Sequence, residues 1–178
     1  ILSFNGNKII TTGGGGALLT NKKSFAIRAK KLSTINKKEN KWNYDYAGVG
    51  YNYRMPSLNA ALGCSQLKKL KSFLIKKRKL HKLLENELKG FSNKVQILKE
   101  KKKCKSNYWL IALKLRNINI KERDYLVTEL RKKNILCKPI WLNIDKMPFY
   151  RKYPKTNLTN ARKIEKTIIT LPSSTFLK

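Results

Sequence analysis

Apolar side chains recur every three or four residues between Pro56 and Gly90, which is the spacing of one face of an α-helix. The pattern predicts a long helix that begins near Pro56, a residue favoured in the first helical turn, and ends near Gly90. Because one straight helix of this length would exceed the width of a small domain, we expect a bend between Gly63 and Lys69. The apolar face should pack on a core rather than form a coiled coil, and it comprises Leu67, Leu70, Phe73, Leu74, Leu80, Leu83, Leu84 and Leu88.

The segment before this helix predicts three further elements. Ile9 to Thr20 favours extended structure broken by glycines, and Lys22 to Leu32 favours a helix capped by Thr20 or Asn21. A polar stretch from Ser33 to Gly50 predicts a long loop, and loops of this length are usually functional or disordered. We favour a packing cluster over a functional role for the aromatic side chains of this loop, which are Trp42, Tyr44 and Tyr46.

The remainder of the chain alternates between strand and helix patterns after a basic loop at Lys99 to Lys105. The predicted elements are a strand at Tyr108 to Leu113, a helix at Arg123 to Lys133, a strand at Ile135 to Trp141, a short helix at Ala161 to Lys166 and an extended segment at Ile168 to Pro172. In the first of these helices, Tyr125, Leu126 and Leu130 should face inward. The alternation predicts a compact α/β domain.

Composition places the chain among globular proteins. Apolar residues make up 41% of its 178 positions, which is enough for a core. A membrane span is not expected, because no run of about 18 apolar residues occurs, and no signal-peptide pattern is visible. The three cysteines form no paired motif and the single histidine, His81, fits an ordinary helix position. We therefore expect reduced thiols, no metal site and a cytoplasmic location.

The net charge of +31 is the most unusual bulk property, with 41 basic and ten acidic side chains. A basic nucleic-acid-binding module is one explanation, because lysine and arginine neutralise phosphates. The alternative is a compositional bias, since the excess is mostly lysine spread along the chain and no nucleic-acid-binding motif occurs. We consider nucleic acid an unlikely partner. A positive surface would in either case attract phosphates and other anions.

The start of the chain carries the candidate chemistry. Lys8 lies five residues after Ser3 and shortly before four consecutive glycines, Gly13 to Gly16. A partly buried lysine amine condenses with aldehydes, a serine hydroxyl donates to phosphate, and glycines let backbone N–H groups approach an anion. A solvated surface lysine followed by a mobile turn is the plain alternative in so lysine-rich a chain.

A second segment makes the pattern specific. Gly50-Tyr51-Asn52-Tyr53-Arg54 precedes the helical sequence that starts at Leu58. Together with the Ser3-Phe4 to Lys8 segment, the following threonines and glycines, and the terminal Leu171-Pro172-Ser173-Ser174, it resembles the DegT/DnrJ/StrS family of pyridoxal-phosphate-dependent sugar aminotransferases.

The resemblance implies roles for individual residues. Lys8 would be the catalytic lysine that holds pyridoxal 5′-phosphate (PLP) as an internal aldimine, and Ser3 would contact the cofactor phosphate. Asn52 would reach the phosphate in a neighbouring subunit, which implies a homodimer with shared active sites. The substrate-binding candidates implied by the resemblance are Asn5, Tyr53, Arg54, Trp141 and Asp145, with Arg54 equally suited to a structural role.

The resemblance also implies the architecture. The chain would be the C-terminal half of a fold-type I aminotransferase, with the end of the PLP-binding large domain at residues 1–68. A kinked interdomain helix and a small α/β domain would occupy residues 69–178. Because the ring-stacking aromatic and the acidic partner of the cofactor ring belong to the other half, we expect these 178 residues alone to be inactive.

The expected reaction moves an amino group, from glutamate, onto a nucleotide-linked keto-sugar for surface polysaccharide or glycan synthesis. Asn5-Gly6-Asn7 resembles the branch that acts on UDP-linked 4-keto-6-deoxy sugars. Asp145 stands where the family usually has histidine, which puts substrate binding there in question. A non-catalytic remnant of the same fold remains an alternative.

Overall fold

The computed structural model describes residues 1–38 and 42–177, which fall into two compact units, Ile1–Lys71 and Ser72–Lys178. The division lies inside the predicted long helix, and so does the boundary that the sequence predicts between residues 68 and 69.

The first unit opens with a short antiparallel pair. Strand β1 (Leu2–Ser3) pairs with β2 (Gly16–Ala17), so that Leu2 lies opposite Ala17. Gly16 is required here, because a Cβ at this position would overlap the carbonyl oxygen of Leu2. Of the extended stretch predicted from Ile9 to Thr20, only β2 is a strand, since the residues before it fold into a loop.

Helix α1 (Lys23–Ser33) begins without a side-chain cap, so the predicted capping by Thr20 or Asn21 is wrong. Lys22 occupies the N-cap position, and Thr20 Oγ1 instead accepts a hydrogen bond from Lys22 N at 3.1 Å. A threonine that bonds the backbone two residues ahead forms a local turn and is no longer available to the helix.

The segment after α1 folds back on itself as an irregular antiparallel ribbon. Isolated bridges pair Thr34 with Asn52 and Lys37 with Tyr46. Residues 39–41 of the predicted loop lie outside the described residues. The predicted aromatic packing cluster is wrong, because the side chains it involves are exposed; these are Trp42, Tyr44 and Tyr46.

Helix α2 (Ser57–Glu87) is uninterrupted and is followed by a 3₁₀ turn at Lys89–Phe91, so that Gly90 lies within this turn rather than directly after the helix. In the second unit Leu80, Leu84 and Leu88 pack on the core as predicted. The same prediction is wrong for Leu67 and Leu83, whose side chains are exposed.

The second unit contains a four-stranded antiparallel sheet. Its strands are β3 (Val95–Ile97), β4 (Ile111–Leu115), β5 (Lys138–Pro139) and β6 (Ile168–Leu171), in the order β3-β4-β6-β5. Helices α3 (Ile120–Lys132) and α4 (Thr159–Thr167) complete the unit. The buried core consists of Ile97, Ile111, Leu113, Leu115, Val127, Cys137 and Ile169.

Two strands differ from the predicted bounds for reasons of hydrogen bonding. Tyr108 has a left-handed backbone, with φ of 44°, and its N–H bonds to Ser106 Oγ, so β4 cannot begin before this turn is complete. Of the predicted Ile135 to Trp141 strand, only Lys138–Pro139 forms a strand, and Ile140 N adds one hydrogen bond to the carbonyl of Ile168 in β6. The strand does not begin earlier because Cys137 N turns back to the carbonyl of Ile135.

Helix α3 begins earlier than predicted because Asn119 and Glu122 form a reciprocal capping box. The prediction that Tyr125 faces inward is wrong, since its side chain is 69% exposed. Val127 occupies the buried face instead, while Leu126 and Leu130 pack against the core as predicted.

Candidate active site

The loop between β1 and β2 holds Ser3, Asn5 and Lys8 close together in the chain. Asn5 to Lys8 forms a turn in which Lys8 N donates to the carbonyl of Asn5 at 3.0 Å. Ser3 Oγ accepts a hydrogen bond from Asn5 N at 3.5 Å. Lys8 is half-buried, as expected for a lysine flanked by apolar residues.

Phe4 closes the loop through its backbone. Its N–H donates to the carbonyl of Gly15 at 3.0 Å, and its carbonyl accepts from Thr12 N at 3.0 Å and from Thr11 Oγ1 at 2.9 Å. Gly13 and Gly15 both have left-handed φ values, of 82° and 95°, which the return path of the loop requires. The glycine run is therefore part of a closed loop.

Helix α2 supports this loop through residues whose role the sequence did not reveal. Asn59 Nδ2 donates to the carbonyl of Thr12 at 2.5 Å, and Thr12 is only 2% exposed. Gly63 lies beneath the same threonine, where a Cβ would come 2.8 Å from its Cγ2 atom. A cavity of about 180 Å³ adjoins this contact and is lined mainly by apolar groups, so it does not suit an anion.

Asn52, Tyr53 and Arg54 lie on the ribbon that returns to the end of α1. Tyr53 N donates to the carbonyl of Ser33 at 3.0 Å, and the bridge to Thr34 fixes the backbone of Asn52. All three side chains in this segment are exposed, and the Tyr53 ring stacks on Tyr51 with centroids 5.0 Å apart. The backbone is thus held in place while the side chains face outward.

Gly50 permits the tight ribbon, because a Cβ there would overlap the backbone of Ile35 and Asn36. Those two residues both have positive φ, of 57° and 52°. Close packing of the backbone therefore requires a glycine at position 50, the first residue of the second sequence motif.

The two remaining candidates, Trp141 and Asp145, belong to the second unit. Trp141 is 65% exposed and its ring stacks on Trp109, with centroids 6.1 Å apart. Asp145 Oδ2 pairs with Arg162 Nη2 at 3.3 Å. Its Oδ1 atom is buried and has no hydrogen-bond partner among the described residues.

The donor set of the β1–β2 loop fits the aldehyde cofactor that the sequence suggests. It offers a primary amine at Lys8 and a hydroxyl at Ser3. The Ser3 hydroxyl is the acceptor in its hydrogen bond with Asn5 N, so its own hydrogen can be donated to a phosphate. Lys8 suits covalent attachment and Ser3 suits one phosphate contact. The contact of Asn52 with the cofactor phosphate of a neighbouring subunit stays a prediction.

The described residues also bear on metal binding and on membrane-spanning helices. Across residues 1–38 and 42–177, no group of three or more histidine, cysteine, aspartate or glutamate side chains is arranged to hold a metal ion. Every helix in the same ranges is too short or too polar to span a bilayer. The cysteines are free thiols, with Cys137 buried, and burial raises the pKa of this thiol.

The fold is that of the PLP-dependent aminotransferases of the α/β class, as predicted. The chain belongs to the DegT/DnrJ/EryC1/StrS aminotransferase family, whose model matches residues 1–178. The family is PLP-dependent and serves amino-sugar biosynthesis.

Three similar proteins illustrate the relationship. A GDP-perosamine synthase of Escherichia coli O157:H7 is 34% identical over 86% of this chain and 41% of its own length. EpsN of Bacillus subtilis, a putative pyridoxal phosphate-dependent aminotransferase, is 34% identical over 84% of this chain and 38% of its own. The structure of Helicobacter pylori PseC, an aminotransferase involved in pseudoaminic acid biosynthesis, matches with a TM-score of 0.86 and 25% identity over 98% of this chain and 47% of its own. The chain thus spans less than half the length of these relatives.

Proposed function

We propose that the protein to which these residues belong transfers an amino group from glutamate to a nucleotide-linked keto-sugar, for polysaccharide or glycan synthesis in the cytoplasm. The observation that carries the proposal is the family match over the whole chain, together with Lys8 and Ser3 on one closed loop. GDP-perosamine synthase, a relative of similar sequence, is named for a nucleotide-linked sugar product.

The cofactor contacts fall to three residues. PLP, when bound, supplies an aldehyde and a ring that withdraws electrons from the carbon next to the amine. Lys8 Nζ would hold the aldehyde and, when free, would move a proton between the substrate carbon and the C4′ atom of the cofactor. Ser3 donates its hydroxyl hydrogen to the phosphate, and Asn52 reaches the phosphate of a second subunit in a homodimer.

The substrate contacts fall to exposed or partly exposed side chains. Arg54 suits the sugar-nucleotide diphosphate, because its guanidinium carries a permanent charge and several donors. Asn5 and Tyr53 offer amide and phenol hydrogen bonds, and Trp141 and Asp145 are the other two proposed contacts with the sugar nucleotide. The Asn5-Gly6-Asn7 variant favours a UDP-linked 4-keto-6-deoxy sugar.

The proposal is tested by trapping the cofactor on its lysine. The complete protein is incubated with PLP, reduced with borohydride and digested, and the labelled peptide is identified by mass spectrometry. We expect the label on Lys8, its loss in Lys8→Arg, and its retention in Lys23→Arg, which changes an exposed lysine of α1 in the same way.

The same preparations are then given glutamate and a UDP-linked 4-keto-6-deoxy sugar, and the amino-sugar product is measured. Turnover should be lost in Lys8→Arg and kept in Lys23→Arg. A label on another side chain, or on none, overturns the role of Lys8. Turnover of GDP-linked sugars alone overturns the assignment of the nucleotide.

A further inference from the structure

The turn that carries Trp141 and Asp145 is tied to helix α4 at several points. We call residues 141–147 the substrate turn. Its centre is a single 3₁₀ turn, Ile144–Lys146, in which Lys146 N donates to the carbonyl of Asn143 and Met147 N to that of Ile144, both at 3.0 Å. These local bonds shape the turn but do not fix it to the rest of the unit.

Glu165 on α4 makes the fixing contacts. Its carboxylate accepts from Lys146 Nζ at 2.6 Å through one oxygen, and from Asn143 Nδ2 and, at 3.4 Å, Asn143 N through the other. One carboxylate therefore holds the residues on either side of Asp145. The Glu165 residue is only 7% exposed, so these bonds are largely shielded from water.

The base of Glu165 is anchored in turn. Arg123 of α3 is buried and donates Nη1 to the carbonyl of Glu165 at 2.6 Å, while Asp124 pairs with the other side of the guanidinium at 2.6 Å. Helix α4 leads directly into β6, whose Ile169 is fully buried. The carboxylate is thus held relative to the core.

Trp141 has a second support at the start of the substrate turn. It stacks on Trp109, whose carbonyl accepts hydrogen bonds from Ser173 Oγ at 2.6 Å and from Lys77 Nζ at 3.3 Å. The indole is therefore supported by the sheet end, and the rest of the turn by Glu165.

We propose that Glu165 is a positioning residue that fixes the substrate turn so that Trp141 and Asp145 meet the nucleotide-sugar. This rests on the function proposed above. A buried ion pair contributes little net stability, because the cost of removing both charges from water offsets their attraction. Three directional hydrogen bonds accepted by one carboxylate do define the geometry of a turn, and small displacements at a site weaken substrate interactions.

The test compares two changes at Glu165 in the complete protein loaded with PLP. Glu165→Gln keeps an oxygen acceptor for Asn143 but loses the charge that pairs with Lys146. Glu165→Ala loses both. Glu129→Ala is the matched control, since this glutamate pairs with Lys132 on the outer surface of α3.

We expect Glu165→Ala to raise the KM for the nucleotide-sugar about tenfold, because displacement of the substrate turn weakens the contacts of Trp141 and Asp145 with the substrate. Glu165→Gln should raise it less, and Glu129→Ala should not change it. The half-reaction with glutamate, followed by cofactor absorbance, should be unchanged in all three, because the amino donor does not need the substrate turn.

Binding is measured separately from turnover. In a Trp42→Phe background, which leaves Trp109 and Trp141 as the only tryptophans of this chain, we expect UDP to quench fluorescence and Glu165→Ala to weaken that response. If Glu165→Ala does not fold, Lys146→Met removes one of the same contacts and should raise the KM in the same direction.

The outcomes separate the two proposals. If the unmodified protein performs neither half-reaction, the proposed function fails and this inference fails with it. If the unmodified protein is active but Glu165→Ala and Lys146→Met leave both the KM and the UDP response unchanged, the positioning role alone is overturned. A loss of the glutamate half-reaction in Glu165→Ala would also overturn it, because the effect would then be a general one.

Discussion

The protonation of Glu100 depends strongly on the contacts that the fold gives its carboxylate. Arg78 forms two parallel hydrogen bonds to its carboxylate, at 3.0 and 2.9 Å, and Ser106 N donates at 2.6 Å. Arg78 also lies over the ring of Tyr108, which stacks on His81. The guanidinium and the Ser106 N–H together lower the pKa of Glu100 from 4.5 to about 2.

A lowered pKa makes stability depend on pH in a defined window. Glu100 contributes its stabilisation fully above pH 4.5, and that contribution is lost as the pH falls towards about 2. We expect Glu100→Gln to lower the unfolding free energy above this window and to flatten its decline within it. Urea unfolding at a series of acidic pH values measures both effects.

Glu129→Gln is the control, since it removes a surface carboxylate paired with Lys132. Its profile should stay close to that of the unmodified protein. If the unfolding free energy of Glu100→Gln falls as steeply with acid as that of the unmodified protein, Glu100 does not cause the loss of stability in this pH window.

Sequence patterns identified Lys8 as a candidate because Ser3 and the glycines accompany it. They gave no sign of Lys77, one of 41 basic residues, which is buried and donates to Ser173 and Trp109. Burial lowers the pKa of Lys77. Its acceptors come from distant parts of the chain, so only the tertiary structure sets it apart from a surface lysine.

At the scale of elements, α2 is the support on which the β1–β2 loop rests. Gly63 faces the Cγ2 atom of Thr12, and Asn59 bonds the Thr12 carbonyl. Thr12 cannot yield easily, because its hydroxyl bonds the carbonyl of Gly14 and its branched side chain has few rotamers. The packing of the loop that carries Lys8 thus depends on the absence of a side chain at Gly63 of α2.

Gly63→Ala therefore tests packing against helix propensity. Alanine gains about 1 kcal/mol over glycine in a helix interior, whereas overpacking a tight contact costs about 1–3 kcal/mol. We expect the cost to win, so that the unfolding free energy falls and labelling of Lys8 by PLP becomes slower. Both are measured on the same preparation, by urea unfolding and borohydride trapping.

Ser65→Ala provides the comparison, because Ser65 is exposed on the same helix. It should leave stability unchanged or raise it slightly. A Gly63→Ala protein that is more stable than the unmodified one would mean that the threonine yields and the loop is not held by this contact.

Element prediction succeeded where local signals agreed with packing. The leucine spacing of α2 predicted the contacts of Leu80, Leu84 and Leu88 with the core. The prediction of strand ends failed where a side chain competes for a backbone group. Ser106 Oγ accepts the hydrogen bond of Tyr108 N, so β4 begins later than the sequence predicts. Such competition depends on the actual geometry, and residue preferences do not encode it.

At the scale of the whole molecule, the excess of positive charge produces an electrostatic field that acts on anions outside the site. The ion pairs of the described residues each join one carboxylate to one basic side chain, and the chain has only ten acidic side chains against 41 basic ones. Most of the positive charge is therefore not neutralised by ion pairing within the chain. A field of this sign attracts anions at distances up to about 8 Å at physiological ionic strength.

This field should make capture of a nucleotide-sugar sensitive to salt. We expect the KM for the nucleotide-sugar to rise as potassium chloride is added while kcat changes little, because screening weakens the encounter and not the chemistry. Sucrose at matched osmolarity is the control and should leave the KM unchanged.

Duplex DNA, added at physiological salt, should not inhibit turnover of the nucleotide-sugar, since non-specific phosphate contacts weaken steeply with salt. Saturable DNA binding that persists at that salt concentration would instead favour a nucleic-acid-binding role for the basic surface.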